Sequence, residues 1–160
     1  MININIICIG KIKEKYLKDA LAEYSKRLSK YCRLNILELN DNSLPNKINP
    51  STISSIKDDE CKRIINNIKK DSYIIALDLK GKDYSSEEFS KKIQDISVKG
   101  FSSITFIIGG TLGLNSEILG KSNDIICFSK MTFPHQLIRV FLLEQIFRSF
   151  KIANNETYHW

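Results

Sequence analysis

Histidine is almost missing from this sequence, with two copies in 160 residues. Cysteine is sparse as well: Cys8, Cys32, Cys61 and Cys127 stand at wide, irregular intervals with no C-x-x-C pair. A structural zinc site needs close-spaced Cys and His ligands, and a disulfide scaffold needs a paired pattern. Neither is expected, so the cysteines read as buried, reduced thiols and no metal is anticipated. Long apolar runs are lacking too. No stretch approaches the roughly 20 residues of a membrane span. The opening MININIICIGKIKEKY is apolar for only about ten residues and carries no basic leader, so it reads as a strand and not a signal peptide. These absences point to a cytoplasmic protein with no membrane partner. Arginine is the last scarcity, with 5 copies against 19 lysines.

What is present suits one domain over residues 1–160, with 42% apolar and 26% charged residues. The net charge of +6 permits RNA binding without showing it, since a sequence rich in Lys, Ile and Asn also reflects compositional bias. The charge is concentrated locally. Residues 11–33 hold Lys11, Lys13, Lys15, Lys18, Lys26, Arg27, Lys30 and Arg33 against Glu14, Asp19 and Glu23. Such a segment is either a solvated helix face or a contact for a polyanion.

The hydrophobic pattern predicts strands alternating with helices. Met1–Ile9 reads as a strand, Lys11–Ser29 as an amphipathic helix, Leu34–Leu39 as a strand and Asn40–Ser51 as a mobile loop. A polar helix follows over Ile53–Lys69, then the apolar strand Tyr73–Leu79 with a turn at Gly81. Ser85 opens a helix with Glu87 and Glu88 in its first turn. Ile104–Ile108 is a strand, Ser116–Gly120 a helical turn and Ile125–Phe128 the last strand, before a helix that begins at Pro134. The later strands are apolar on both faces. The fold class is therefore α/β, a parallel-sheet α/β sandwich.

Ligands of open α/β sheets bind beyond the carboxyl ends of the strands. Three candidates lie there: Leu77, the glycine-rich IIGGTLGL with Gly109, Gly110 and Gly113, and the loop Phe128-Ser129-Lys130-Met131-Thr132-Phe133 before Pro134. The glycine stretch is neither G-x-x-x-x-G-K-[ST] nor G-x-G-x-x-G. The loop's fixed shape before proline gives its N–H groups the means to grip a purine edge. The last helix has no clean solvent face. At roughly 100° per residue, Leu137, Ile138, Ile146 and Phe147 fall in four different quarters. Such a helix is expected to be covered on every side, the outer side most simply by a second copy of the chain. Within it, Glu144 can pair with Arg148, and His135 shares a face with Arg139. The tail ends in Tyr158, His159 and Trp160.

These residues carry a resemblance. IIGGTLGL, SKMTFPHQLIRVFLLEQIFRSFKI and the terminal YHW resemble the ribosomal RNA large-subunit methyltransferase H family, of the SPOUT superfamily, along essentially the whole chain from ICIGKIKEKY onward. The resemblance implies a SPOUT methyltransferase fold with a C-terminal deep trefoil knot, a homodimer, and S-adenosyl-L-methionine held by Leu77, Gly109, Phe128, Ser129, Lys130, Met131, Thr132 and Phe133. It implies methylation of N3 of pseudouridine 1915 in 23S rRNA within the assembled ribosome. For the chemistry, Arg139 is expected to stabilise the anionic base and His159 to help remove the proton, with His135 the alternate base. The family often carries a basic residue after Tyr-His; Trp160 stands there in this chain. A knotted methyltransferase acting on tRNA, and a non-enzymatic ribosome-binding protein of the same fold, are the competing readings.

Overall fold

The computed structural model describes residues 1–158. Ten elements alternate along the chain: β1 (Ile2–Ile9), α1 (Lys15–Leu28), β2 (Cys32–Leu39), α2 (Pro50–Asn67), β3 (Tyr73–Lys82), α3 (Ser86–Val98), β4 (Ser103–Ile108), α4 (Ser116–Lys121), β5 (Asp124–Ile126) and α5 (His135–Ala153). The strands form one sheet in the order β2-β1-β4-β3-β5, and every pairing is parallel. Period-two alternation sends Ile4, Ile6, Cys8, Ile104, Phe106 and Ile108 into a core shared with α1, α3 and α5. Ile7, Ile9, Ala76 and Ile107 point the other way, against α2 and α4. Each fully buried Ile or Phe contributes about 1.5–3 kcal/mol, so both faces of the central strands are committed to core.

Local signals account for several boundaries. Ser85 caps α3 with a full capping box: its hydroxyl accepts from Glu88 N–H, and the Glu88 carboxylate accepts from Ser85 N–H. Asn49 and Asn115 cap α2 and α4 in the same manner, without the reciprocal bond.

Several boundaries differ from the sequence expectation; α2, for one, spans Pro50–Asn67 and so starts inside the segment expected to be a loop. Helix α1 starts at Lys15 and not Lys11. Ile12 is buried and its N–H donates to Glu38 Oε2 at 2.7 Å, which holds residues 10–14 out of the helix. Gly81 makes no turn; it lies inside β3. A Cβ there would sit 2.5 Å from the Ile126 carbonyl carbon, so glycine serves close backbone approach. β5 ends at Ile126, although Cys127 N–H still donates to Lys82 O of β3 at 3.0 Å. Pro134 is the N-cap of α5 and not its first turn.

Helix α5 also corrects its expected environment. It packs between α1 and α3 on the sheet, so those helices cover its flanks and a second copy is not needed for them. Most of the remaining α5 residues are half-buried, and Phe141 faces outward, 38% exposed.

Candidate active site

The carboxyl ends of β3, β4 and β5 open into a cleft of about 850 Å³. Residues Leu77–Lys80 form one wall and Ile108–Gly113 the floor. The segment after β5 and the first turn of α5, including His135, Gln136 and Ile138, form the opposite wall. Of the residues singled out in the sequence, Leu77, Gly109, Phe128, Ser129, Met131, Thr132, Phe133 and His135 line this cleft. Lys130 lies in the same loop, exposed and outside the lining. His159 falls outside the described residues.

Each wall is shaped by a specific contact. Both Leu77 and Lys82 register on Ile126 of β5, so residues 78–81 arch over the end of that strand. Gly109 is buried under the returning chain; a Cβ there would lie 2.9 Å from the Gly113 carbonyl carbon. Gly113 has φ +81° and donates its N–H to Gly110 O at 3.0 Å, which closes the turn. The 128–133 loop is braced from within: Cys127 Sγ donates to Ser129 O, and Met131 N–H donates to Ser129 Oγ at 3.0 Å. The N–H groups of Ser129, Thr132 and Phe133 make no hydrogen bond among the described residues. A second depression of about 340 Å³ lies behind this loop, lined by Tyr84, Phe89, Phe133 and Phe141 among others.

Arg139 stands behind the cleft and not in it. It is 1% exposed, with Nη1 on Glu38 Oε2 at 2.8 Å and Nη2 on Ile9 O at 3.0 Å and Gly10 O at 2.8 Å. The planar fork expected of this arginine is thus used on the chain's own backbone. Next to it, His135 is half-buried. Its pKa is lowered, first by burial and then by the Arg139 charge, against a smaller opposing pull from Asp41. The imidazole is therefore neutral at neutral pH and able to accept a proton.

Sequence reasoning missed three features. Asp78 is the one carboxylate of the lining among the described residues, and its signal was an acid interrupting the apolar run of β3. Glu38 has no sequence cue, because it meets Arg139 only across the fold. Glu60 of α2 is buried beneath Gly110, with Oε2 lacking a partner and its pKa raised by burial. The expected Glu144–Arg148 pair forms, with Arg148 Nε 3.0 Å from Glu144 Oε1. Tyr158 docks edge-on against Phe147, 5.0 Å between centroids, beneath the Arg148 guanidinium.

The arrangement suits a flat heterocycle. Apolar side chains supply the faces, unpaired N–H groups supply edge donors, and Asp78 supplies an acceptor for hydroxyl or cationic groups.

Comparison with known proteins places these features in a family. The family model described as predicted SPOUT methyltransferase matches residues 2–159. The chain is 55% identical over 157 residues to the ribosomal RNA large subunit methyltransferase H of Clostridium acetobutylicum, covering 98% of this chain and 99% of that protein. It is 58% identical to the protein of the same name from Clostridium botulinum strain Eklund 17B, with the same coverage. A solved structure of a probable methylase family protein from Haemophilus influenzae Rd KW20 superposes with a TM-score of 0.55 at 13% identity. That match covers 99% of this chain and 71% of the other, and supports the fold alone.

Proposed function

The chain belongs to the SPOUT methyltransferase family and is a methyltransferase; from that premise we propose that it methylates N3 of a pseudouridine in 23S rRNA, using S-adenosyl-L-methionine, on the assembled ribosome. The named rRNA methyltransferases that match it end to end support the substrate class. One observation carries the donor reading: the cleft brings Leu77, Gly109 and the 128–133 loop together with N–H groups to spare. Leu77, Gly109 and Phe128 would enclose the adenosine, while Ser129, Lys130, Met131, Thr132 and Phe133 would grip its edge through the main chain. When bound, this donor supplies an electrophilic methyl group on a sulfonium.

Transfer forms an N3–C bond as the C–S bond breaks, and the electron pair stays on sulfur. N3 of a pseudouridine must also lose its proton, and a well-placed base is worth about 10²–10⁴-fold. His135 lines the cleft in its neutral form, which fits that role; His159 is the second base we propose. Arg139, enclosed by Glu38 and two carbonyls, acts as a positioning residue for His135 and the end of β1. The active form is a cytoplasmic homodimer, each chain carrying a C-terminal trefoil knot. The arch of 78–81 over β5 and the outward Phe141 are consistent with those two features.

The test is to incubate the protein and donor with ribosomes lacking the modification, then analyse the nucleosides by mass spectrometry. Methylated pseudouridine at one 23S site is the expected product. Donor binding without any methylated 23S nucleoside would refute the assignment, and methylated tRNA in a parallel reaction would replace it.

A further inference from the structure

The connection between β1 and α1 is fixed far more firmly than a surface loop needs. Gly10 adopts φ +91° and its N–H donates to Leu39 O at 2.7 Å. Its carbonyl, and that of Ile9, accept from Arg139 Nη2. Ile12 is buried, and its N–H shares Glu38 Oε2 with Arg139 Nη1. A buried guanidinium and its carboxylate thus fix Gly10 and Ile12, and with them the backbone between. The side chains this presents are cationic. Lys11 and Lys13, on either side of Ile12, are both exposed, and Tyr16 is 70% exposed just beyond them.

The location matters as much as the charge. A Cβ on Gly10 would lie 3.2 Å from His135 Nε2, and His135 lines the cleft. The lysines therefore flank a segment that adjoins the cleft wall carrying His135. Two of the four acids nearby are engaged: Glu38 is occupied by Arg139, and Asp19 pairs with the third lysine, Lys15, at 2.7 Å. Glu14 and Asp41 remain.

We propose that this connection is an RNA-backbone grip, in which Lys11 and Lys13 hold phosphates next to the reacting nucleotide and Tyr16 offers a face for stacking. The inference rests on the RNA-methyltransferase reading and adds the residues that read the strand. A pre-set loop loses little conformational freedom when it meets phosphate, which explains the buried Arg139–Glu38 anchor behind it. Lysine suits the task because it neutralises phosphate as a point charge and carries no sequence preference.

Each phosphate contact contributes about 0.7–0.9 to the slope of log affinity against log salt, so a Lys11→Ala/Lys13→Ala protein should lose about 1.5 from that slope and bind roughly thirtyfold more weakly near 0.1 M salt. Tyr16→Ala should weaken binding with the slope unchanged. Lys69→Ala/Lys70→Ala, at the opposite end of the sheet, is the control and should match wild type. Binding would be measured by fluorescence with purified ribosomes and with a short RNA stem-loop, across a salt titration. An unchanged slope in the Lys11/Lys13 variant overturns the grip, as does an equal fall in the control. Calorimetric binding of S-adenosyl-L-methionine is read in parallel. Its absence in the wild type defeats the methyl-transfer reading, whatever the salt slopes show.

Discussion

Arg139 has almost no access to water, yet its charge is matched by one carboxylate and two carbonyls that converge on the fork. Replacing it with Met would take from both carbonyls the donor that Arg139 supplies. We expect Arg139→Met to lose about 2–3 kcal/mol by urea denaturation, less than a fully buried pair because Glu38 stays one-third in water. His135 gives a second expectation. Its folded pKa lies below the ordinary 6.5, so the unfolded chain takes up the proton first as pH falls. This residue therefore costs no stability above pH 6.5, and progressively lowers stability below it until the folded pKa is reached. His135→Gln should flatten the acid-side fall in denaturation midpoint just under pH 6.5; an unchanged slope would show that the imidazole is not held neutral by the fold. Burial also lifts the Cys8 thiol to about 12 and the Cys32 thiol to about 11. Neither fits a reactive nucleophile, in keeping with the reading of these cysteines as core.

At the scale of elements, α3 was plainly written in the sequence. A serine followed three positions later by glutamate is a local code, and the capping box forms as that code requires. The start of α1 and the role of Gly81 were not legible, because both depend on partners distant in sequence. Ile12 is drawn away from the helix by Glu38. Gly81 is glycine because Ile126 passes against it. Composition suggests a turn at such a glycine; only the fold reveals a crossing. Gly81→Ala should cost about 3 kcal/mol or more, since the neighbour is backbone and has no rotamer to yield. Gly120→Ala, with open space around it, should be tolerated. Comparing the two by thermal denaturation isolates the crossing from any general effect of losing glycine.

For the molecule as a whole, parallel topology followed from strands that are apolar on both faces, and the cleft followed from the rule that such sheets bind ligands at their carboxyl edge. Eight of the eleven residues given a cofactor-binding or catalytic role in the sequence do meet there. The burial of Arg139 escaped notice because a helical wheel shows which residues share a face and not what lies opposite. The same limit applies to α5, whose apolar flanks are spent on α1 and α3. What remains outside is Phe141, in edge contact with Phe133 at 5.5 Å. If α5 mediates the proposed homodimer through this strip, Phe141→Asp should shift the sedimentation coefficient from dimer to monomer while the thermal midpoint of the monomeric core changes little. A dimer that survives this substitution would place the interface elsewhere.

The arch that holds Ile126 between Leu77 and Lys82 has a consequence for biosynthesis. One partner of that embrace is translated well before the other, so an incomplete nascent chain lacks the strand that the arch encloses. The cleft thus has no early, half-built form: it comes into being only after most of the polypeptide has been made, and a prematurely terminated product lacks it altogether.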